Sequence, residues 1–184
     1  MNRLQTKYQT DVIPALQKEL GRTNILSLPK PTKIVVNVGI SKREGGDTSK
    51  TLESMTTQLA TITGQKPKQT AAKKSIAGFK IRSGDAVGLA VTLRGTQMWE
   101  FMDKLISIVL PRMKDFQGVS RNAFDMSGNY SLGFAEQIVF PQIEYDKIDR
   151  VHGLQVTIVS SNHNKIESRK MLELLGMPFE KEEK

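Results

Sequence analysis

The stretch Gly64 to Arg94, GQKPKQTAAKKSIAGFKIRSGDAVGLAVTLR, decides the fold. Its second half alternates strictly: Val87, Leu89, Val91 and Leu93 fall on one side of an extended chain, and Gly88, Ala90, Thr92 and Arg94 on the other. A shorter strand-like run, Lys68 to Ala72, leads into a basic loop carrying Gly78 and Gly84. The segment therefore predicts a long hairpin with a cationic tip. It holds seven Lys or Arg against one acid, Asp85, and that excess of six is most of the chain's net charge of +8. Such a tip cannot bury itself, because desolvating unpaired ammonium groups costs far more than packing returns.

A solvated lysine loop is the plain alternative, since charge runs often serve solubility alone. The tip, however, also carries Ile76, Phe79 and Ile81, apolar groups that an idle loop rarely displays. Its glycines allow close backbone approach. Phosphate together with a stackable base is the partner that uses cations and an aromatic at once.

Working outward, Leu4, Tyr8, Val12, Leu16 and Leu20 form a helical stripe over residues 1–21, kinked or split by Pro14 and closed by Gly21. Lys33 to Ile40 predicts a strand, with Ile34, Val36, Val38 and Ile40 on one face and Val35, Asn37 and Gly39 on the other. Ser41 to Asp47 is a polar loop, with Asp47 or Thr48 as N-cap of a helix marked by Leu52, Met55, Leu59 and Ile62. After the hairpin, a helix following Thr96 buries Met98, Trp99, Met102, Leu105, Ile106, Val109 and Leu110 and ends at Pro111. Residues 112–131 are too long for an ordinary connection, and Phe116, Phe124 and Tyr130 mark them as an ordered, contact-making insertion. A short strand from Tyr130 to Phe134, a strand from Leu154 to Ser161, a helix from Asn164 to Leu175 and a frayed tail over 180–184 complete the chain. The run FPQIEYDKID, after the short strand, fits no element.

The order strand, helix, strand, strand, helix, strand is the split βαβ arrangement of ferredoxin-like and RRM-like domains. The fold class is α+β: one domain over 1–184, an antiparallel sheet with helices packed on one face and the other face open. That open face would carry Asn37, Lys68, Thr70, Thr92 and Arg94 among small residues. Without sheet aromatics, it suits the backbone and sugar hydroxyls of structured RNA better than stacked single-stranded bases.

At 184 residues the chain is long enough for a real core, and 38% hydrophobic with 25% charged residues is globular. A pI of about 9.7 makes a polyanion the leading partner. No stretch approaches the roughly 20 apolar residues of a membrane span, and the N-terminus has no secretory core. The absence of cysteine excludes disulfides and thiol chemistry and fits a reducing, cytoplasmic compartment. The loop Gly39 to Ser49 fails as a phosphate cradle, because Asp47 and Thr48 follow Gly46 where Lys and Ser or Thr are needed. His152 and His163 lack a second ligand at metal spacing. Glu144, Asp146 and Asp149, mixed with Lys147 and Arg150, read as a salt-bridged turn. No catalytic constellation emerges.

The runs TGQKP (63–67), AAKKSIAGFKIR (71–82) and AVTLRG (90–95) resemble the bacterial-type large-subunit ribosomal protein L-five family, the 5S rRNA-binding family. KIVVNVGI (33–40), NYSLGF (129–134), EQIVFP (136–141), YDKIDRVHGL (145–154) and LLGMPF (174–179) extend the likeness over nearly the whole chain, in order. The resemblance implies a cytoplasmic protein of the ribosome, with no enzymatic activity, no cofactor and no small-molecule substrate. Its implied partners are 5S rRNA, large-subunit rRNA, transfer RNA in the peptidyl site and neighbouring ribosomal proteins. It assigns Asn37, Gln65, Lys66, Lys68, Thr70, Thr92 and Arg94 to 5S rRNA. It assigns Lys73, Lys74, Ser75, Gly78, Phe79, Lys80 and Arg82 to transfer RNA. Arg112, Lys114, Phe116 and Arg121 would form a bridge to a small-subunit head protein. Lys68 and Gln69 stand where an apolar pair is usual, Ser83 where an acid is common, and His152 where Arg is frequent. Two other classes compete: a free regulatory RNA binder, and an RNA-modifying enzyme using the hairpin as a clamp.

Overall fold

The computed structural model describes residues 2–40, 48–114, 116–143, 150–162 and 164–180. Strands β1 (Pro31–Gly39), β2 (Lys68–Ala71), β3 (Ala86–Leu93), β4 (Tyr130–Phe134) and β5 (Leu154–Ser160) form an antiparallel sheet in the order β2-β3-β1-β5-β4. The run β2-β3-β1-β5 is the split βαβ order, with β5 as its fourth strand and β4 added at the edge. The helices are α1 (Arg3–Lys7), α2 (Ile13–Leu20), α3 (Thr48–Thr63), α4 (Gly95–Lys104) and α5 (Lys165–Leu175). The fold is thus the expected α+β class.

Alternation in the sequence becomes alternation in burial. Ile34, Val36 and Val38 are buried while Asn37 and Gly39 are exposed; Leu89, Val91 and Leu93 are buried while Thr92 is exposed; Leu154, Val156 and Ile158 are buried while Gln155 is exposed. Each fully buried aliphatic side chain contributes about 1.5–3 kcal/mol, so a one-residue slip of a strand would forfeit several such terms at once.

Both prolines in the helical stripes are accommodated by the same device. A π turn at Tyr8–Val12 joins α1 to α2, and Ile13 N–H donates to Tyr8 O immediately before Pro14. A second π turn at Leu105–Val109 follows α4, and Leu110 N–H donates to Leu105 O immediately before Pro111. The wider turn moves the carbonyl that a proline ring would strike and that its missing N–H could not serve. Pro14 therefore splits its helix, and Pro111 opens a closing 3-10 turn, Leu110–Arg112.

The chain forms two compact units: Met1–Ile34 with Arg94–Leu132 and Thr157–Lys184, and Val35–Leu93 with Gly133–Val156. In the first, Arg22 grips the buried Glu167 carboxylate with two bonds of 2.7 and 3.0 Å, and Asn162 and Asn164 also donate to it. Asn164 caps α5, its side chain accepting from Ile166 N–H. In the second, α3 packs on β3 through Leu52, Met55, Leu59 and Ile62, all buried. The stretch after β4 forms a 3-10 turn, Gln137–Val139. The side-chain amide of buried Gln137 donates to Arg150 O, and its Oε1 accepts from the His152 backbone. His152 is buried, so it has a structural place in this unit.

Several expectations fall outside the described residues: the loop 41–47 with its Asp47 cap, the acidic turn 144–149, His163 and residues 181–184. Glu180, the first residue of the expected tail, donates its backbone N–H to Val119 O at 3.1 Å and accepts at its carbonyl from Arg121 Nε at 2.6 Å.

Candidate nucleic-acid interface

The register of the hairpin sets the chemistry of the open face. Lys68 pairs with Ala90 and Thr70 with Gly88, whereas Gln69 pairs with Leu89. Paired residues share a face, so Lys68 and Thr70 stand beside Ala90 and Gly88 and away from the buried leucine. A bulge between Thr70 and Ala71 then shifts the register, so that Ala71 pairs with Ala86 and the strands twist toward the tip. Gly88 is fixed by contact: a Cβ there would lie 2.5 Å from the Val38 carbonyl oxygen and 3.0 Å from Thr70 Oγ1. The floor of the face is consequently flat.

Asn37, Gln65, Lys66, Lys68, Thr92 and Arg94 are exposed, and Thr70 is half-buried. Asn37 lies on β1, Lys68 and Thr70 on β2 and Thr92 on β3; Gln65 and Lys66 occupy the turn after α3, and Arg94 follows β3 directly as the N-cap of α4. Lys66, Lys68 and Arg94 have no carboxylate partner among the described residues. A polar surface with unpaired cations and no bulky side chains is suited to approach by a phosphate backbone.

The tip is a second, smaller hairpin set on the first. Ala72 N–H donates to Asp85 O at 2.8 Å, and Gly84 N–H returns a bond to Ala72 O at 3.0 Å. Further out, Ile76 and Ile81 exchange backbone bonds of 2.9 and 3.2 Å around a 3-10 turn at Ala77–Phe79. Ser75 Oγ accepts from Ser83 N–H, Ser83 Oγ donates to Lys73 O, and Asp85 accepts from Arg82 N–H. The short polar side chains thus hold the backbone while Lys73, Lys74, Lys80 and Arg82 are left exposed, with no carboxylate partner among the described residues. Ile76 and Phe79 are 48% and 44% exposed beside them. Lys80 is the one non-glycine residue with positive φ, +53°, among those described. A left-handed lysine costs about 1–2 kcal/mol relative to ordinary backbone. Sequence reasoning missed this strain, because nothing in AGFKIR distinguishes Lys80 from its neighbours.

The insertion is built differently. Phe124, Tyr130 and Phe179 cluster with ring centroids 4.5 to 6.0 Å apart. The Tyr130 hydroxyl donates to Ser120 O at 2.7 Å, and burial holds its pKa well above the usual tyrosine value. Asp125 caps the loop apex by accepting from the Ser127 and Asn129 backbones and from the Asn129 side chain. Of the four expected bridge residues, Arg112 and Lys114 are exposed, Phe116 is half-buried, and Arg121 is bonded to Glu180. Among the described residues no group of His, Asp or Glu is placed to hold a metal ion, and no helix is long and apolar enough to cross a membrane.

Two family profiles together cover the five strands and all but the N-terminal helical segment. Residues 24–82 match the family described as ribosomal protein L5, and residues 86–179 match the profile of that ribosomal family's C-terminus. The chain is 52% identical over 179 residues to the large ribosomal subunit protein uL5 of Clostridium perfringens, covering 97% of this chain and 99% of that one. It is 51% identical over 181 residues to the uL5 of a Thermoanaerobacter species, covering 98% and 100%. To the uL5 of Chloroflexus aurantiacus it is 53% identical over 177 residues, covering 96% and 97%. The class defined is that of ribosomal structural proteins, not of enzymes. Within that class, the chain belongs to the ribosomal protein L5 family.

Proposed function

We propose that this protein is a cytoplasmic component of the large ribosomal subunit whose open sheet face binds 5S rRNA, with Asn37, Gln65, Lys66, Lys68, Thr70, Thr92 and Arg94 as contacts. The observation that carries this reading is the hairpin register. It sets Lys68 and Thr70 beside Gly88 and Ala90, so an RNA backbone meets hydroxyls and cations with no side chain in its way. Transfer RNA in the peptidyl site meets the tip through Lys73, Lys74, Ser75, Gly78, Phe79, Lys80 and Arg82. Support for this comes from unpaired cations beside exposed Phe79 and Ile76 on a backbone already internally bonded. The insertion, with Arg112, Lys114, Phe116 and Arg121, touches a small-subunit head protein. The mechanism is placement: each surface holds one RNA or protein partner relative to the others.

Affinity on this reading comes largely from phosphate neutralisation. With about five cations engaged, fourfold more salt weakens 5S rRNA binding by roughly two orders of magnitude. Sedimentation and a salt series test it together. The protein should travel with large subunits and prefer 5S rRNA to an unrelated folded RNA of equal length. Free sedimentation with equal affinity for both RNAs would instead establish a general polyanion binder.

A further inference from the structure

A pocket of about 440 Å³ opens in the first unit, between the N-terminal helical segment, the start of β1 and the start of α4. Its floor is made by Tyr8 and Trp99, whose rings lie 5.5 Å apart and tilted by 41°. The Tyr8 hydroxyl is already committed to Pro29 O at 3.0 Å. Thr32 Oγ1 is likewise committed, to Val159 O at 3.0 Å, but the other polar side chains are not. Trp99 is only 8% exposed, and its indole N–H has no acceptor among the described residues. Gln5 and Gln9, one helical turn apart, line the same wall with side-chain amides that bond to nothing described. Lys30 supplies a positive charge, and no carboxylate lines the cavity. Gly95 forms part of the rim with open space where a side chain would stand, and exposed Arg94 immediately precedes it.

These groups specify the ligand's chemistry. An indole N–H with no protein acceptor offers a donor to whatever enters the pocket. Two amides offer both donors and acceptors to a planar polar edge. A cation without a nearby acid seeks an anion. A nucleobase edge joined to a phosphate satisfies all three; an aliphatic or cationic ligand satisfies none.

We infer that this pocket takes one unstacked nucleotide of the bound RNA, its base edge facing Gln5, Gln9 and the Trp99 N–H and its phosphate at Lys30. The inference rests on the 5S rRNA reading, and it extends that RNA's path beyond Arg94 to a surface not among the contacts assigned above. It also gives the pocket a selective task, since amide and indole groups read base edges whereas lysines on the sheet read phosphate alone.

Trp99 is the only tryptophan in the chain, so its fluorescence reports on this pocket without labelling. Full-length protein is titrated with 5S rRNA, with an unrelated folded RNA of equal length, and with AMP and GMP, and acrylamide quenching of Trp99 is followed. Binding of 5S rRNA should shield Trp99, and AMP and GMP should not. Gln9→Ala and Lys30→Ala, both at exposed positions, should keep the wild-type melting temperature and weaken 5S rRNA binding about 3- to 10-fold each. Tight 5S rRNA binding with Trp99 still fully quenchable and both variants at wild-type affinity would overturn the pocket assignment and leave the sheet-face reading intact. Shielding by AMP or GMP as complete as by 5S rRNA would overturn it in favour of a free nucleotide. Loss of selectivity for 5S rRNA in the wild-type protein would overturn both readings.

Discussion

The hairpin tip and the 112–131 insertion are both irregular, glycine-bearing stretches that carry cations and aromatic residues, yet they use their side chains in opposite ways. In the insertion, Phe124 and Tyr130 turn inward onto Phe179, Asp125 caps the apex, and Arg121 is bonded to the Glu180 carbonyl. In the tip, Ile76, Phe79 and four cations turn outward, and Ser75, Ser83 and Asp85 hold the backbone in their place. One segment is stabilised by its own core. The other is shaped by short polar bonds and leaves its larger groups facing solvent. An aromatic residue in a loop is therefore informative only together with its burial: Tyr130 is 0% exposed and structural, whereas Phe79 is 44% exposed.

The largest effect is expected from deleting an aromatic of the inward-turned segment. Tyr130→Ala should destabilise the protein by about 3–5 kcal/mol in chemical denaturation, as large aromatic truncations in packed cores do. A loss below about 1 kcal/mol would mean the insertion has no core of its own. The reciprocal change, Lys73, Lys74, Lys80 and Arg82 all to Ala, should leave stability within about 1 kcal/mol, because no described partner is lost. It should lower the salt slope of transfer RNA binding by about 3, and an unchanged slope would remove the tip from that contact.

Smaller effects refine the contrast. Lys80→Gly relieves the left-handed strain and should stabilise the tip by about 0.5–1 kcal/mol, read as slower exchange of the Ile81 amide that bonds Ile76 O, while transfer RNA binding weakens. Stabilisation without weakened binding would make Lys80 a turn residue only. Ser75→Ala removes the acceptor for Ser83 N–H and should speed amide exchange at Ser83 by an amount worth about 0.5 kcal/mol, with global stability unchanged.

The strands were legible because period-two alternation survives folding directly: each of the branched residues read as inward on β1 and β5 is buried. The open face was legible for the same reason, since Asn37 and Thr92 sit between those positions. What escaped notice depends on contacts distant in sequence or on backbone geometry. The π turns before Pro14 and Pro111 follow from proline sterics, but their form is a choice among several accommodations. The closeness of Gly88 to Val38 O, the pairing of Val119 with Phe179 and the union of Gln5, Lys30 and Trp99 in one pocket all join segments that no local pattern connects. Phe101 is buried on α4 although it lies outside the expected stripe, because the helix is covered on more than one side.

The most direct test of the central claim is the affinity of purified protein for 5S rRNA measured for three variants across a salt series: Asn37→Ala, Thr92→Ala, and Lys73/Lys74/Lys80→Ala. If the flat sheet face holds 5S rRNA, the first two lose selective binding and the third retains it with little change. Retention by both face variants, with loss only in the lysine variant, would contradict the account and move 5S rRNA to the tip.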